Sequence, residues 1–346
     1  MIWVTWRQSR GAAITAVISL AVLAIALAVT GPHIAHLYDS IGVATCTVST
    51  CDQLTTQFLN AVPPFDQVLY ALCLGVMLLV PGLIGVFWGA PLITREIEAR
   101  TLPLAWNQSV TRTRWLAWKL GLTGLATMTA AGLLTLMVTW WAGPSDRALE
   151  VPYGHRTSFQ RLAPILFDTR AIAPIGYAAF AFALGVAAGL LLRRTVPAMA
   201  STLAAFAAVQ FSWPNWIRPH LISPATTSRP LTLADFATVR ILNSSTMTVT
   251  GTGQLGQPGA WVLSSHVAGP SGTAAVPATQ ACLNPTGSGQ CFASLAKLHL
   301  MQVFSYQPAD RFWDFQWSET AVFAGLAVLL AAACLWLVNR RRPVGP

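Results

Sequence analysis

Long apolar segments without acidic or basic residues alternate with short charged segments along the chain. A helix needs about 20 mostly apolar residues to cross the hydrocarbon core of a bilayer. Six charge-free windows reach this length, and they cover residues 11–38, 67–94, 120–145, 171–192, 195–217 and 320–339. A seventh window, 241–296, is rich in Ser, Thr, Gly and Pro and is not expected to span. The pattern predicts an all-α membrane protein with six transmembrane helices.

The composition excludes most soluble classes of protein. Of 346 residues, 54% are hydrophobic and 10% are charged, whereas a soluble domain carries roughly 25% charged residues. An ordinary soluble enzyme, an acidic disordered chain and a compact secreted domain are therefore excluded. The net charge is +9, but the cations lie between apolar windows and do not cluster on a polar domain. The expected partner is the lipid bilayer and not nucleic acid.

The distribution of basic residues predicts the orientation. Of the 21 Lys and Arg residues, 12 fall in short segments on the side of both termini, and short cytoplasmic segments are enriched in such residues. We expect cytoplasmic N- and C-termini. An alternative is that residues 1–30 form a cleaved signal peptide, with a small-residue site at Ala24-Ile25-Ala26. The apolar stretch from Gly11 is long for such a peptide, which favours an uncleaved first helix.

Three regions follow from this topology. Residues 1–213 form a membrane domain with helices one to five, and residues 317–346 contain the sixth helix and a basic cytoplasmic tail. Between them, residues 214–316 are predicted to form an extracellular cap. It is β-rich, because "STMTVTGTG" and "AWVLSSHV" alternate apolar and polar residues and are bounded by Gly and Pro.

Four of the six cysteines lie in predicted outer loops, where disulfides persist. Three connectivities are possible for Cys46, Cys51, Cys282 and Cys291. The two local pairings, Cys46–Cys51 and Cys282–Cys291, are the simplest, and free thiols are the alternative. No His and Cys spacing nearby is typical of zinc, so no metal site is expected.

Signs of catalysis or ion transport are missing from the sequence. The phosphate-binding pattern GxxxxGK[ST] does not occur, so the chain is not expected to hydrolyse ATP or to act as an enzyme. Asp66 and Glu319 fall at the outer edges of predicted helices, and no ionisable residue is placed in the middle of one. This argues against a proton pump, a sodium symporter and a cation channel.

One predicted cytoplasmic segment combines acidic and basic residues. It joins helices two and three, and Glu96 and Arg100 form an i,i+4 pair in the favourable order before Pro103 ends the helix. Glu96 and Glu98 are the only acidic residues on the predicted inner face. A plain charged loop explains the cations but not these two acids, so we expect them to have a partner beyond the loop.

The same segment resembles the intracellular loop of type 2 ABC transporter permeases. The shared pattern is R-E-x-E-x-x-T followed by V-x-R-x-x-W-L-x-x-K, carried here by Arg95, Glu96, Glu98, Thr101, Val110, Arg112, Trp115, Leu116 and Lys119. Arg100 departs from it, because the family usually has Gly before this Thr. Residues 1–10 resemble the family's amphipathic elbow helix, and 167–200 resemble helices four and five of actinobacterial members.

The resemblance implies a mechanism and partners. Residues 93–119 would form a coupling loop that docks on a separate ABC ATPase subunit. The coupling residues would be Arg95, Glu96, Glu98, Arg100, Thr101, Arg112 and Arg114. ATP and Mg would bind the ATPase, with no cofactor on this chain, and a second permease copy or paralogue would complete the transporter.

The function implied is that of a bacterial plasma-membrane exporter subunit, which moves an apolar or amphipathic molecule by alternating access. An alternative is a non-transporting anchor or sensor whose cap binds a ligand or partner protein. Gly185 and Gly189 form a GxxxG pattern in helix four. We expect packing within the chain there, in preference to a subunit interface.

Overall fold

A computed structural model describes residues 2–47, 50–99, 111–150, 160–251, 255, 257, 259–269, 272–283 and 288–340. The chain forms two compact units. One comprises Met1–Ile217 and Trp313–Pro346, and the other Arg218–Phe312. The second unit lies within the region predicted as a cap.

The first unit is helical. Its helices are α1 (Ile2–Ile41), α2 (Cys51–Ala61), α3 (Pro64–Ile84), α4 (Pro91–Glu98), α5 (Arg112–Leu149), α6 (Pro164–Phe167), α7 (Ala173–Leu192), α8 (Thr195–Ser212) and α12 (Phe312–Arg340). Six segments of the described chain are long and apolar enough to cross a membrane, which confirms the predicted number. Numbered spans one to six, they are Val17–Ile41, Pro64–Glu98, Thr113–Leu149, Ala173–Leu192, Thr195–Leu221 and Ala309–Arg340.

The first helix continues without a break from Ile2 to Ile41. It therefore includes the backbone of the segment predicted as an elbow, and a separate surface helix at residues 1–10 stays a prediction.

Span four is the centre of the bundle. Of its apolar window, 72% is buried, against 17% for span six. Apolar side chains fill the bundle at both ends of this span. At the end that carries the chain termini, the termini end, the cluster contains Ile93, Trp115, Leu116 and Val338. At the opposite end, the far end, a second cluster contains Leu27, Tyr38, Phe58, Val138 and Trp141.

Glycines bring spans two and four into backbone contact. A π-helical turn, Gly85–Gly89, joins α3 to α4 within span two. A Cβ atom at Gly185 would lie 2.2 Å from the carbonyl oxygen of Gly85, and one at Gly189 would lie 2.7 Å from that of Ala90. The GxxxG pattern is thus used for packing within the chain.

The second unit contains two three-stranded antiparallel sheets, with strand orders β1-β6-β4 and β2-β3-β5. The strands are β1 (Ala225–Pro230), β2 (Phe236–Ile241), β3 (Thr246–Gly251), β4 (Trp261–Ala268), β5 (Ala275–Pro277) and β6 (Met301–Gln307). Strands β3 and β4 lie where the alternation predicted them. The short helices are α9 (Arg218–Leu221), α10 (Gln280–Leu283) and α11 (Ser288–Ala296). Met247, Val267 and Leu300 belong to the shared apolar core.

Both local disulfides are confirmed. Cys46 bonds to Cys51, and Cys282 bonds to Cys291, which links α10 to α11. Cys73 and Cys334 are free and buried, as expected for cysteines that fill apolar space in a span.

The turn before β2 makes the second unit sensitive to acid. Burial raises the pKa of the Asp235 carboxyl, but hydrogen bonds from Thr232 and Arg229 outweigh it, so this pKa lies below its ordinary value. The carboxylate therefore stabilises the fold above about pH 3.9, the pKa of an unfolded Asp, and this contribution is lost as pH falls through the folded pKa. In thermal melts, we expect wild type to be more stable than Asp235→Asn at pH 6–7. The difference should become smaller as the pH falls below about 3.9, and a constant difference would contradict the assignment.

Candidate functional site

The site predicted from the sequence lies at the termini end, where helix α4 completes span two. Pro91 lies in the first turn of α4, a position that needs no backbone N–H. Ile93 and Thr94 are buried, whereas Arg95 and Glu98 are exposed. The helix therefore packs one face on the bundle and presents charged side chains on the other.

Glu96 connects α4 to span three. Its carboxylate forms an ion pair with the Lys119 ammonium group, and only 10% of the Lys119 side chain is exposed. The same ammonium lies 4.7 Å from the centre of the Trp115 ring, a distance at which a cation is attracted to the ring face. Removing Glu96 would leave a buried cation without its carboxylate partner.

Glu98 connects α4 to span five. It accepts hydrogen bonds of 2.8 Å from the backbone N–H and from the hydroxyl of Thr195, the first residue of α8. The Thr195 hydroxyl also lies 2.8 Å from that of the buried Thr94. The residue before α8, Arg194, makes no side-chain capping bond. The Glu98 carboxylate of span two takes this role, because it accepts a hydrogen bond from the first backbone N–H of α8, which has no partner within the helix. We call Glu96, Glu98, Lys119, Thr94 and Thr195 the termini-end clamp.

The clamp changes the interpretation of the two acids. Each acid has a partner within the chain, Lys119 for Glu96 and Thr195 for Glu98, and a contact of either acid with an ATPase stays a prediction. Arg95 and Arg114 are exposed, in agreement with a docking role that stays a prediction. Arg100, Thr101 and the side chain of Arg112 lie outside the described residues, as does the predicted Glu96–Arg100 pair.

A second polar cluster lies at the far end, and no pattern in the sequence had indicated it. Arg170 Nε donates to Asp146 Oδ2 at 2.7 Å, and Arg170 Nη2 donates to Asp146 Oδ1 at 3.2 Å. The Tyr70 hydroxyl donates to the same carboxylate at 2.5 Å. Burial alone would lower the pKa of Arg170, but Asp146 and Tyr70 raise it above its ordinary value, so the guanidinium stays charged. This group joins spans two and three to the segment before span four.

Span six joins this end through Glu319 and Gln316, both fully buried. Glu319 accepts hydrogen bonds from Tyr177 and, at 2.8 Å, from Trp213 Nε1. Tyr177 also lies 3.2 Å from Asp168, which accepts a bond from Gln210. The helix that carries Glu319 begins seven residues earlier, at Phe312, and the position of Glu319 at the outer edge of the membrane stays a prediction. In the sequence, Glu319 is a single acidic residue directly before twenty residues without a charge, and this isolated position could have indicated a buried role.

In the part of the chain that the structure describes, no group of three or more His, Cys, Asp or Glu is placed to hold a metal ion. Both polar clusters hold helices together, and neither presents an assembled nucleophile and base.

Six apolar spans joined by buried polar contacts at both ends define a multi-pass membrane protein. The profile of the family described as "ABC-2 membrane transporter related" matches residues 17–218. The chain belongs to this family, as the resemblance in the loop between spans two and three indicated. No curated protein and no solved structure matches the chain.

Proposed function

We propose that the chain is the membrane-spanning subunit of an ABC exporter in a bacterial plasma membrane, with both termini in the cytoplasm and Arg218–Phe312 outside. A separate ATPase subunit binds ATP and Mg, and a second permease copy or paralogue completes the transporter. The cargo is apolar or amphipathic. The observation that carries this proposal is the termini-end clamp. It connects α4, which begins the loop predicted to contact the ATPase, to spans three and five.

The clamp makes α4 suitable for transmitting movement. Separating Glu96 from Lys119 leaves a buried charge unpaired, and breaking a buried ion pair in this way costs roughly 3–5 kcal/mol. Moving α4 off Thr195 removes a helix cap, which is worth about 1 kcal/mol. A force applied to α4 is therefore expected to move the adjoining ends of spans two, three and five together. Glycine packing adds span four to this block.

The docking surface of the proposal is basic and separate from the clamp. Arg95 on α4 and Arg114 at the start of span three are both exposed at the termini end. A basic surface favours a complementary acidic cleft on the partner, and a like charge placed in such an interface costs several kcal/mol.

Charge reversal at these two positions tests the proposal. We expect Arg95→Glu and Arg114→Glu to weaken binding of the partner ABC ATPase subunit by at least tenfold, while thermal stability is unchanged. The affinity is measured by titrating the purified ATPase onto the permease in lipid nanodiscs. Arg193→Glu is the matched control, because Arg193 is an exposed arginine at the same end but outside the loop.

Affinities within twofold of wild type for both loop variants would overturn the docking assignment. Glu96→Lys is a poorer test, since it places a second cation beside Lys119 and disturbs the fold itself. The alternative function is an anchor or sensor that works through residues 214–316. It requires no ATPase and would be favoured if no ABC ATPase subunit binds the chain.

A further inference from the structure

Among the residues that the structure describes, span six is attached to the bundle by polar contacts at one end only. At the far end, Gln316 Oε1 accepts hydrogen bonds from the backbone N–H groups of Ile172 and Ala173, at 3.1 and 2.8 Å. Its amide also donates to the carbonyl of Phe167 at 3.3 Å. Together with the bonds of Glu319 to Tyr177 and Trp213, these contacts tie span six to spans four and five and to the segment before span four.

The other half of span six is held by apolar packing. Cys334, Leu335 and Val338 pack against the cluster that contains Trp115 and Leu190. Within the described residues 324–340, no side chain forms a hydrogen bond or ion pair with another span. Only 17% of the apolar window of span six is buried, the same share as in spans one and five.

The two kinds of contact differ in how easily a bilayer replaces them. Lipid tails are as apolar as leucine, so an acyl chain substitutes for the packing of Leu335 or Val338 with little loss of free energy. Nothing in the hydrocarbon core satisfies a buried amide or carboxylate, and each such group left unsatisfied costs several kcal/mol. The far-end contacts of span six are therefore expected to persist while the apolar half separates.

We propose that span six moves as a rigid helix about a hinge at its far end. It pivots about Gln316 and Glu319 at the far end, and its half nearest the chain termini swings away from spans three and four. The face that it uncovers carries Trp115, Leu116, Val186 and Leu190, and it admits an apolar molecule from that leaflet of the bilayer. The hinge rests on the fold of this chain and not on the proposed partnership with an ATPase.

Distances between spin labels test the hinge in the full-length chain alone, in lipid nanodiscs and with Cys73→Ala and Cys334→Ala as background. One pair, Trp118→Cys with Trp336→Cys, reports on the termini end, and the other, Phe211→Cys with Trp317→Cys, reports on the far end. All four side chains are more than half exposed, so the labels disturb no core. We expect the distance distribution of the termini-end pair to be at least twice as wide as that of the far-end pair.

The two free native cysteines provide a second measurement without any substitution. Cys334 is 1% exposed on the apolar half of span six, and Cys73 is 2% exposed on span two. A small uncharged thiol reagent should label Cys334 at least tenfold faster than Cys73, as followed by mass spectrometry. Both should label equally after denaturation. Equal widths of the two distance distributions, or equal labelling of the two folded cysteines, would overturn the hinge, whether or not an ATPase binds.

Discussion

Gly185→Ala is expected to destabilise the membrane unit by about 3 kcal/mol and to lower the yield of folded protein. The added methyl group would lie 2.2 Å from the carbonyl oxygen of Gly85 and 2.7 Å from the backbone nitrogen of Ala90. Both neighbours are main-chain atoms, which do not rotate away as a side chain does. Overpacking a tight core costs about 1–3 kcal/mol or more. Because backbone atoms cannot move aside easily, we expect a destabilisation in the upper part of this range.

The matched control is Gly75→Ala, within span two, where an added Cβ meets nothing within 4 Å. Alanine is favoured over glycine inside a helix by about 1 kcal/mol, so this variant should be neutral or slightly more stable. Thermal unfolding of both variants in lipid nanodiscs measures the difference. Equal behaviour of the two would show that spans two and four are farther apart than the structure places them.

Arg170→Met is expected to destabilise the far end by about 3–5 kcal/mol. The side chains of Arg170 and Asp146 are 5% and 9% exposed, and the substitution leaves a carboxylate with one remaining hydrogen bond, from Tyr70. Removing one partner of a buried pair costs this much because the other charge stays desolvated. Methionine retains most of the apolar length of arginine, so lost packing contributes little.

Arg161→Met, nine positions earlier, is the matched control and distinguishes the effect of a buried ion pair from that of an exposed one. Arg161 pairs with Glu150 at 3.2 Å, but the Arg161 side chain is 45% exposed. An exposed pair is worth at most about 1 kcal/mol, so Arg161→Met should shift the melting temperature only slightly. If both methionine variants melt at the same temperature, the Asp146–Arg170 pair is not the structural contact described above.

The two ends of the bundle use polar residues in related ways. At the termini end, Glu96 and Glu98 tie one helix to spans three and five. At the far end, Asp146 and Glu319 tie the segment before span four, and span six, to the remaining helices. Apolar packing joins the spans between these ends. This separation explains why the windows that predicted the spans are free of charge while the bundle still contains buried ion pairs.

The number and approximate position of the spans, the two disulfides and the β-strands of residues 246–251 and 261–268 could be predicted from the sequence. Each of these depends on a local property. A run of about 20 apolar residues is sufficient to fill a bilayer, alternation marks a strand, and cysteines five or nine residues apart close a short loop. The GxxxG pattern likewise indicated close packing of span four.

The contacts of the charged residues could not be predicted in this way and follow from the packing of the helices. Glu96 and Lys119 are 23 residues apart, Glu98 and Thr195 are 97 apart, and Trp213 and Glu319 are 106 apart. No local pattern relates such positions. A carboxylate in a short loop has the same sequence signature whether it faces solvent, a partner or another span, because burial depends on how helices pack. The partners of Glu96, Glu98 and Glu319 were therefore decided by the fold.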